Sequence, residues 1–158
     1  LGFRLPVYPL KGYSLTLPVS WRAPRVSVTD FKRKVVYAPL ETREGPRLRV
    51  AGMADVAGWS QKPDPARLAQ LAAEARAAFP DVADYDAPIE SMEPWCGLRP
   101  ATPLGSPILG ASPVQNLYLN VGHGALGWTL ALASGRIAAD AIVRRSSEIP
   151  LEGLGYRR

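Results

Sequence analysis

The stretch "NVGHGALGWTLALASGRIAAD", residues 120–140, joins a short apolar run to a long segment with helical periodicity. Within it, Gly122, Gly124 and Gly127 have the spacing G-x-G-x-x-G, which is typical of a loop that binds the phosphates of a dinucleotide. Such a loop belongs to a β-α-β unit, in which a second strand carrying an acidic residue follows the helix. Here the segment after the helix contains no convincing strand, and Asp140 lies inside the predicted helix. This context excludes an ordinary Rossmann phosphate loop.

The three glycines still indicate a particular local geometry. Glycine lets the backbone turn tightly and lets a flat ligand approach closely. The first amides of the following helix lack intrahelical partners and carry partial positive charge, so they favour a ligand with partial negative charge. A plain glycine-rich turn between a strand and a helix explains the same letters. From these residues alone, both interpretations remain open.

The composition is typical of one soluble globular domain. The chain has 158 residues, of which 47% are hydrophobic and 21% are charged. The net charge of +5 is dispersed, with the densest basic cluster at Lys32-Arg33-Lys34, and we expect no nucleic-acid partner. The single cysteine, Cys96, excludes an internal disulfide and fits a reducing compartment. We recognise no signal peptide and no apolar run of transmembrane length, so the expected location is cytoplasmic.

Alternating and apolar runs predict several short strands in the first third of the chain. In the first strand, Tyr13, Leu15 and Leu17 fall on one face. Two runs separated by a short polar turn predict a hairpin, and turn residues separate the others. We therefore expect an antiparallel meander with one buried face. The predicted strands cover residues 13–19, 25–30, 34–40 and 47–56.

A helix is predicted over about residues 64–80. Asp64 is a good N-cap, Pro65 suits the first helical position, and Pro80 ends the helix. Its apolar residues form one stripe, which we expect to cover the sheet. The stripe consists of Leu68, Leu71, Ala72, Ala75 and Phe79.

The second half of the chain predicts further short strands and a final helix. Strand-like pieces cover residues 90–99, 107–110 and 116–121, and the helix covers about 126–142. Because strands and helices do not alternate regularly, the fold class is α+β. The predicted buried side of the final helix is Leu130, Ala133, Ile137, Ala138 and Ala141. We predict a substrate-binding sheet domain with one helix over residues 1–115. The last strand and helix cover residues 116–143, and a flexible tail covers residues 144–158.

Three residues outside the glycine motif are candidates for chemistry. Arg99 lies in an apolar, proline-rich stretch and can bind a carboxylate with two hydrogen bonds, although an ion pair with Glu90 or Glu93 is the alternative. We expect Cys96 to be a small, packed thiol. His123, the single histidine, is a candidate general base, but no nucleophile stands in a recognisable motif beside it. One histidine and one cysteine do not make a metal site.

Two motifs together resemble a known family. "GLRP" (97–100) and "NVGHGALGWT" (120–129), with "VYPLKGYSLTLP" (7–18), are similar to the C-terminal half of the FAD-dependent D-amino acid dehydrogenases. These enzymes belong with the glycine oxidases, sarcosine oxidases and D-amino acid oxidases. The resemblance covers about residues 5–145. It implies oxidation of a D-amino acid to a 2-oxo acid, with FAD as cofactor.

The resemblance also implies roles for individual residues. Arg99 would bind the substrate carboxylate, and Tyr13 is a second candidate for substrate binding. It assigns no acid or base role to His123 and no catalytic residue. Tyr8, Tyr37 and Met53 are weaker candidates for the wall above the flavin. The candidates for contact with the flavin are Gly97, Gly122, His123, Gly124, Ala125, Leu126, Gly127, Trp128 and Thr129.

The sequence departs from the family in two ways. The family usually has T-P-D-G after the arginine, whereas here the residues are Thr102-Pro103-Leu104-Gly105. The fingerprint that holds the ADP part of FAD is absent from these residues, so the expected partner is an N-terminal FAD-binding half, on which the last helix would pack. Further expected partners are an amino acid substrate and an electron acceptor in the membrane, with a peripheral position at the inner membrane. The alternative is a non-catalytic module that binds a carboxylate or a protein.

Overall fold

The computed structural model describes residues 2–20 and 22–156, which fold into two compact units. One unit is Lys11–Leu98, and the other combines Leu1–Leu10 with Arg99–Arg158. The elements are β1 (Tyr8–Pro18), β2 (Val28–Asp30), β3 (Val35–Thr42), β4 (Gly45–Val56), α1 (Pro65–Ala78), β5 (Trp95–Ala101), β6 (Ile108–Ala111), β7 (Tyr118–Val121) and α2 (Gly127–Ile142). Single 3-10 turns occupy Ile89–Met92 and Gly124–Leu126. The predicted combination of antiparallel strands with two helices is confirmed.

Five strands form one sheet in the order β2-β3-β4-β1-β5. The β2–β3 and β3–β4 pairs are antiparallel, as the predicted hairpin and meander require. Tyr37 stands opposite Val50, and Val35 stands opposite Gly52. The meander prediction is wrong for β1, which lies between β4 and β5 and not at the start of the strand order. Local patterning cannot reveal this, because the partners of β1 are distant in sequence.

Strand β1 is buried on both of its faces. Tyr13, Leu15 and Leu17 are no more than 2% exposed, as the alternating pattern predicted. Ser14 and Thr16 on the opposite face are also buried, so the expectation of one buried face does not hold for β1. On that face the Thr16 hydroxyl accepts a hydrogen bond of 3.2 Å from Nε of Arg49.

Strand β4 changes its inward face at Met53. Leu48 and Val50 are fully buried, so strict alternation along the strand would also turn Val56 inward. Met53 instead has a positive φ of 64°, which is uncommon for a non-glycine residue. Beyond it Asp55 is half-buried and Val56 is 76% exposed, because one extra residue shifts the phase of the strand in the manner of a β-bulge. We call this feature the Met53 kink.

Helix α1 packs on one side of this sheet. The Asp64 carboxylate accepts a hydrogen bond from the Ala66 amide at 2.9 Å, and Pro65 occupies the first turn, so the predicted N-terminus is confirmed. The buried residues Leu68, Leu71 and Ala75 join the core cluster with residues of β1, β3 and β4. Burial of each such leucine contributes about 1.5–3 kcal/mol, which fixes the helix on the sheet.

The second unit contains a β-hairpin and α2. Strands β6 and β7 pair antiparallel, with Leu109 opposite Asn120, and α2 packs against both. Arg144 adopts a left-handed conformation after α2, and the Arg145 amide donates to the Asp140 carbonyl at 2.8 Å, which closes the helix as a Schellman motif. The amide of Leu109 donates to the carbonyl of Leu154 at 2.7 Å, so the C-terminal segment contacts β6.

Two predictions for the second half of the chain concern the buried side of α2 and the division into domains. Ala133 is exposed, contrary to prediction, whereas Ile137 is buried and the inward side of α2 also includes Ser134 and Asp140. The inward position of Asp140 is possible because Arg136 and Arg145 neutralise its carboxylate. The two compact units divide the chain differently from the predicted domains. The predicted division into residues 1–115, 116–143 and 144–158 stays a prediction.

Candidate functional site

The glycine motif forms a tight turn between β7 and α2. Gly122 has a φ of 81° and Gly124 a φ of 55°, both in the region that glycine adopts readily. A Cβ atom at Gly122 would lie 2.5 Å from Cγ2 of Thr102, so no larger residue fits there without a shift. Between the two glycines, His123 forms a backbone bridge with Ala101. The turn is therefore held by its own conformation and by the end of β5.

The N-terminus of α2 begins directly after this turn. Among the described residues, no side chain caps its first turn, and no acidic residue lies within it. The positive end of the helix dipole is consequently not neutralised by a carboxylate of the first turn. Such an end favours a ligand group that carries partial negative charge.

The outer face of α2 is apolar and open to solvent. Trp128 is 95% exposed and Leu132 is 91% exposed, and Leu126 and Ile142 are each 56% exposed. A contiguous apolar patch of this kind on a helix is typical of a surface that another structure covers. Ala125 and Thr129, two of the residues predicted to contact flavin, are exposed on the same first turns.

His123 has one nitrogen that needs explanation. Its Nε2 atom is buried and has no hydrogen-bond partner among the described residues. An unpaired buried nitrogen costs about 1–3 kcal/mol, so such atoms are rare in folded proteins. The side chain therefore contributes to the turn at some cost in stability.

The turn after β5 forms although it lacks the acid that the resemblance led us to expect. The amide of Gly105 donates to the carbonyl of Thr102 at 3.1 Å, with Pro103 at the second position and a positive φ at Gly105. The Thr102 hydroxyl donates to the carbonyl of Ser106 at 2.7 Å. Leu104, which replaces the usual aspartate, is 74% exposed. The turn thus forms without the carboxylate.

Arg99 is a half-buried residue of β5. Burial lowers the pKa of its guanidinium, which nevertheless stays charged because arginine starts from such a high value. Of the two acids considered as alternative partners, Glu93 pairs with Arg47 at 3.1 Å. The guanidinium of Arg99 is partly desolvated and has the planar geometry that matches a carboxylate.

Gly97 lies beneath an aromatic ring. A Cβ atom at Gly97 would lie 2.1 Å from Cη2 of Trp95, because the indole of Trp95 extends over it. Trp95 itself is 60% exposed. Glycine at position 97 is therefore required by the ring that covers it.

Tyr13 lies in the core, on the α1 side of the sheet. Its hydroxyl donates to Oδ2 of Asp55 at 3.1 Å, and Arg67 of α1 holds the same carboxylate with contacts of 3.0 and 2.9 Å. Lys11 is 3% exposed, and its ammonium donates to the carbonyl of Lys62. A substrate-binding role for Tyr13 stays a prediction, since the hydroxyl already has Asp55 as partner.

The weaker candidates occupy different environments. Tyr37 is 1% exposed in the core, and its hydroxyl donates to the carbonyl of Glu74 at 3.3 Å. Met53 is half-buried at the kink, and Tyr8 is 42% exposed. Cys96 is a buried thiol that donates to the carbonyl of Gln61, so the prediction of a packed cysteine is confirmed.

Two features are absent from residues 2–20 and 22–156. No group of three histidine, cysteine or acidic side chains in this part of the chain could hold a metal ion. Within the same residues, no helix is long and apolar enough to cross a membrane.

Comparison with known families tests the resemblance that the two motifs suggested. Residues 1–141 match the family described as FAD dependent oxidoreductase. The chain belongs to this family of FAD dependent oxidoreductases. The resemblance is therefore confirmed, whereas a role of the glycine turn in binding flavin stays a prediction.

Relatives within the FAD dependent oxidoreductases are considerably longer than this chain. D-amino acid dehydrogenase 2 of Pseudomonas aeruginosa is 54% identical, over 97% of this chain and 35% of the relative. D-amino acid dehydrogenase of Paramagnetospirillum magneticum is 50% identical, over 100% of this chain and 36% of the relative. The chain thus spans about a third of the length of these curated relatives.

Solved structures of the family have the same arrangement of elements. Glycine oxidase from Geobacillus kaustophilus matches with a TM-score of 0.79 and 25% identity, over 99% of this chain and 40% of that structure. Iminodiacetate oxidase from Chelativorans sp. BNC1 matches with the same TM-score and identity, over 98% and 41%. The fold described above is therefore shared with a glycine oxidase and an iminodiacetate oxidase.

The sequence did not reveal the Asp55 network. Asp55 lies in a strand whose alternation would turn it outward, and Arg67 comes from the following helix. Met at position 53 gives no sign of the kink, because a positive φ is signalled by glycine or asparagine. The contact between Asp55 and Arg67 depends on the change of phase in β4, which the sequence does not indicate.

Proposed function

We propose that this chain is the substrate-binding and flavin-facing part of an FAD-dependent dehydrogenase of D-amino acids. The observation that carries the proposal is the glycine turn, in which Gly122 leaves no room for a Cβ atom without a shift and after which α2 begins with an uncapped N-terminus. The names of the relatives supply the substrate class, D-amino acids. The remaining part of the enzyme would supply the site for the ADP portion of FAD.

The residues at the turn fit a flat, electron-rich group. Gly122 and Gly124 keep side chains away from the backbone, and the first turn of α2 carries no acid that would repel negative charge. Gly122 to Thr129 are the candidates for contact with the ring of FAD in this unit, and Gly97 is a separate candidate in the other unit. The helix dipole would favour the form of the cofactor that bears more negative charge.

Arg99 would bind the substrate carboxylate. A guanidinium that is partly removed from water interacts more strongly with a carboxylate than an exposed one. Two parallel hydrogen bonds would also fix the orientation of the amino acid, and catalysis would depend on this positioning. FAD, when bound, would accept a hydride from Cα of the amino acid. This would leave an imino acid, which water converts to a 2-oxo acid and ammonia.

The exposed face of α2 would be covered by the FAD-binding part of the protein. Trp128 and Leu132 are almost completely exposed here, and burial of such side chains contributes about 1.5–3 kcal/mol each. Small residues beside them, including Gly135 and Ala139, would allow a close approach of the covering structure. We place the electron acceptor in the membrane and the protein at its cytoplasmic surface, in keeping with the dehydrogenase class.

The test uses the full-length gene product that contains this chain. The purified protein should contain bound flavin, detected by its visible absorbance, and D-alanine should bleach that absorbance without oxygen. L-alanine serves as the matched control and should leave the spectrum unchanged. Retention of flavin without bleaching by any D-amino acid would favour the alternative of a non-catalytic binding module.

A further inference from the structure

On the side opposite α1, the five-stranded sheet is covered at Ser14 and Thr16 of β1 but open at its other end, where Val56 of β4 and Trp95 of β5 are exposed. On β5, Cys96 belongs to the core cluster beneath α1, so its neighbours Trp95 and Gly97 point to the other side. On β1, Lys11 and Tyr13 contact each other on the α1 side, with the ammonium 5.6 Å from the ring centre. We call the side that carries Trp95 and Gly97 the open face.

The Met53 kink decides which residues of β4 reach the open face. Before the kink, Leu48 and Val50 point toward α1. After it, Asp55 points toward α1 and contacts Tyr13 and Arg67, whereas Ala54 is exposed and Val56 is 76% exposed. Without the change of phase, Ala54 and Val56 would lie in the core and Asp55 would lie on the open face.

The Asp55 contacts hold this arrangement in place. Arg67 makes two contacts with the Asp55 carboxylate, of 3.0 and 2.9 Å, and Tyr13 adds a third at 3.1 Å. A carboxylate with three such contacts cannot turn to the open face without losing all of them. The positive φ of Met53 is therefore maintained by the contacts of the residue two positions later.

Small residues line the open face at this end of the sheet. Ala54 of β4 is exposed and Gly97 of β5 is half-buried. On β1, between these strands, Gly12 alternates with the inward Lys11 and Tyr13 and is itself buried. Trp95 and Val56 are the bulky exposed side chains beside them. The open face thus combines little side-chain volume with two apolar walls.

From this arrangement we propose that Ala54 and Val56 limit the size of the amino acid side chain that the enzyme accepts. The inference rests on the proposed function, in which Gly97 of the same face lies against the flavin. Ala54 leaves space for the substrate side chain, and Val56 forms part of its wall. Met53 and Asp55 are positioning residues, since they direct these two side chains to the open face.

The test compares kcat/KM for D-alanine, D-leucine and D-phenylalanine in the full-length protein with bound flavin. Ala54→Leu should lower kcat/KM for D-leucine and D-phenylalanine roughly tenfold or more relative to D-alanine. Val56→Ala should change the same ratio in the opposite direction, by several-fold. Ala77→Leu, on the exposed side of α1, adds the same bulk and should leave the ratio unchanged.

The outcomes separate the two proposals. Flavin content and unfolding temperature show whether each variant folds. Because Val56→Ala shortens a largely exposed side chain, its kcat/KM ratio can be measured even if Ala54→Leu misfolds. Unchanged ratios in Val56→Ala, in a wild-type enzyme that oxidises D-amino acids, would overturn the inference and leave the proposed function intact. A wild-type protein that oxidises no D-amino acid would remove both.

Discussion

The hydroxyl of Tyr13 donates a hydrogen bond of 3.1 Å to the carboxylate of Asp55, 42 residues further along the chain. This contact joins the central strand of the sheet to the part of β4 that follows the Met53 kink. Arg67 completes it from α1, so three elements meet at one carboxylate. The relationship accounts for the inward position of Asp55 and supplies the first of five predictions.

Replacing Asp55 by alanine should destabilise the protein by about 1–3 kcal/mol, because Tyr13 and Arg67 both lose their partner below the surface. Asp86→Ala is the matched control, since Asp86 also pairs with an arginine, Arg76, but is 85% exposed. The control should cost less than about 1 kcal/mol. Urea unfolding of both variants measures the difference, and equal losses would mean that the Asp55 contacts carry no special weight.

Stability should fall between pH 10 and about pH 12. Burial, followed by the hydrogen bond to Asp55 and its charge, raises the pKa of Tyr13 from 10.0 to about 12, and burial raises the pKa of Tyr85 to about 12. Unfolded tyrosines lose their protons near pH 10, whereas these two keep theirs in the folded protein. Above pH 10 the unfolded state therefore binds fewer protons, and its formation becomes more favourable as the pH rises.

The check on this alkaline effect is an absorbance titration of tyrosine combined with urea unfolding. Tyr13→Phe should remove one of the late-titrating groups and reduce the loss of stability between pH 10 and about pH 12. A titration in which all tyrosines ionise near pH 10 would contradict the prediction.

Gly122→Ala should be more damaging than Gly124→Ala. Both positions have positive φ, which costs alanine about 1–2 kcal/mol. A Cβ at Gly122 would also lie 2.5 Å from Cγ2 of Thr102, whereas nothing lies within 4 Å of a Cβ at Gly124. Unfolding free energies separate backbone strain from the clash, and Thr102→Ser, which removes Cγ2, should recover part of the loss in Gly122→Ala. Equal effects at both glycines would show that the clash relaxes freely.

Arg99→Lys in the full-length protein should raise KM for D-alanine roughly 10- to 100-fold, because one cationic point replaces two parallel hydrogen bonds worth about 1.5–3 kcal/mol. Flavin content should stay unchanged, since the proposed role concerns the substrate. Arg76→Lys, at the exposed pair with Asp86, is the control and should leave KM as it is. An unaltered KM in Arg99→Lys would mean that the carboxylate binds elsewhere.

Gly135→Ala should have opposite effects in two proteins. A Cβ at Gly135 meets nothing within 4 Å, so alanine in this helical position should stabilise residues 1–158 by about 0.5–1 kcal/mol. In the full-length protein, the added methyl group would separate α2 from the structure proposed to cover it. Flavin retention during dialysis should then decrease, and an equal gain in stability in both proteins would count against a close cover.

Local signals in the sequence predicted much of the fold. Asp64 and Pro65 placed the start of α1, and the alternation of Leu48 and Val50 identified the inward face of the first part of β4. The central position of β1 could not be predicted, because the pairing of strands distant in sequence leaves no local mark. The Met53 kink was hidden for a different reason: its backbone conformation is imposed by the contacts of Asp55 and not by the preference of methionine.

The candidate site was predicted in its backbone and less well in its side chains. The glycine turn and the start of α2 follow from the spacing of three glycines, since these positions need conformations that other residues avoid. The surroundings of Tyr13 could not be read from the sequence, because they depend on Arg67 and on the shifted phase of β4. The inward position of Asp140 could likewise not be read from the sequence, because it depends on ion pairs with Arg136 and Arg145.

One of the two compact units is made from both ends of the chain. Leu1–Leu10 joins Arg99–Arg158, and the rings of Phe3 and Tyr156 contact each other with centres 5.3 Å apart. Closing so long a loop costs entropy before any contact is gained, so this unit should fold slowly. The unit Lys11–Leu98 is continuous and can form as soon as it leaves the ribosome. During synthesis, residues 2–10 would therefore remain without α2 until residues 99–156 had been made.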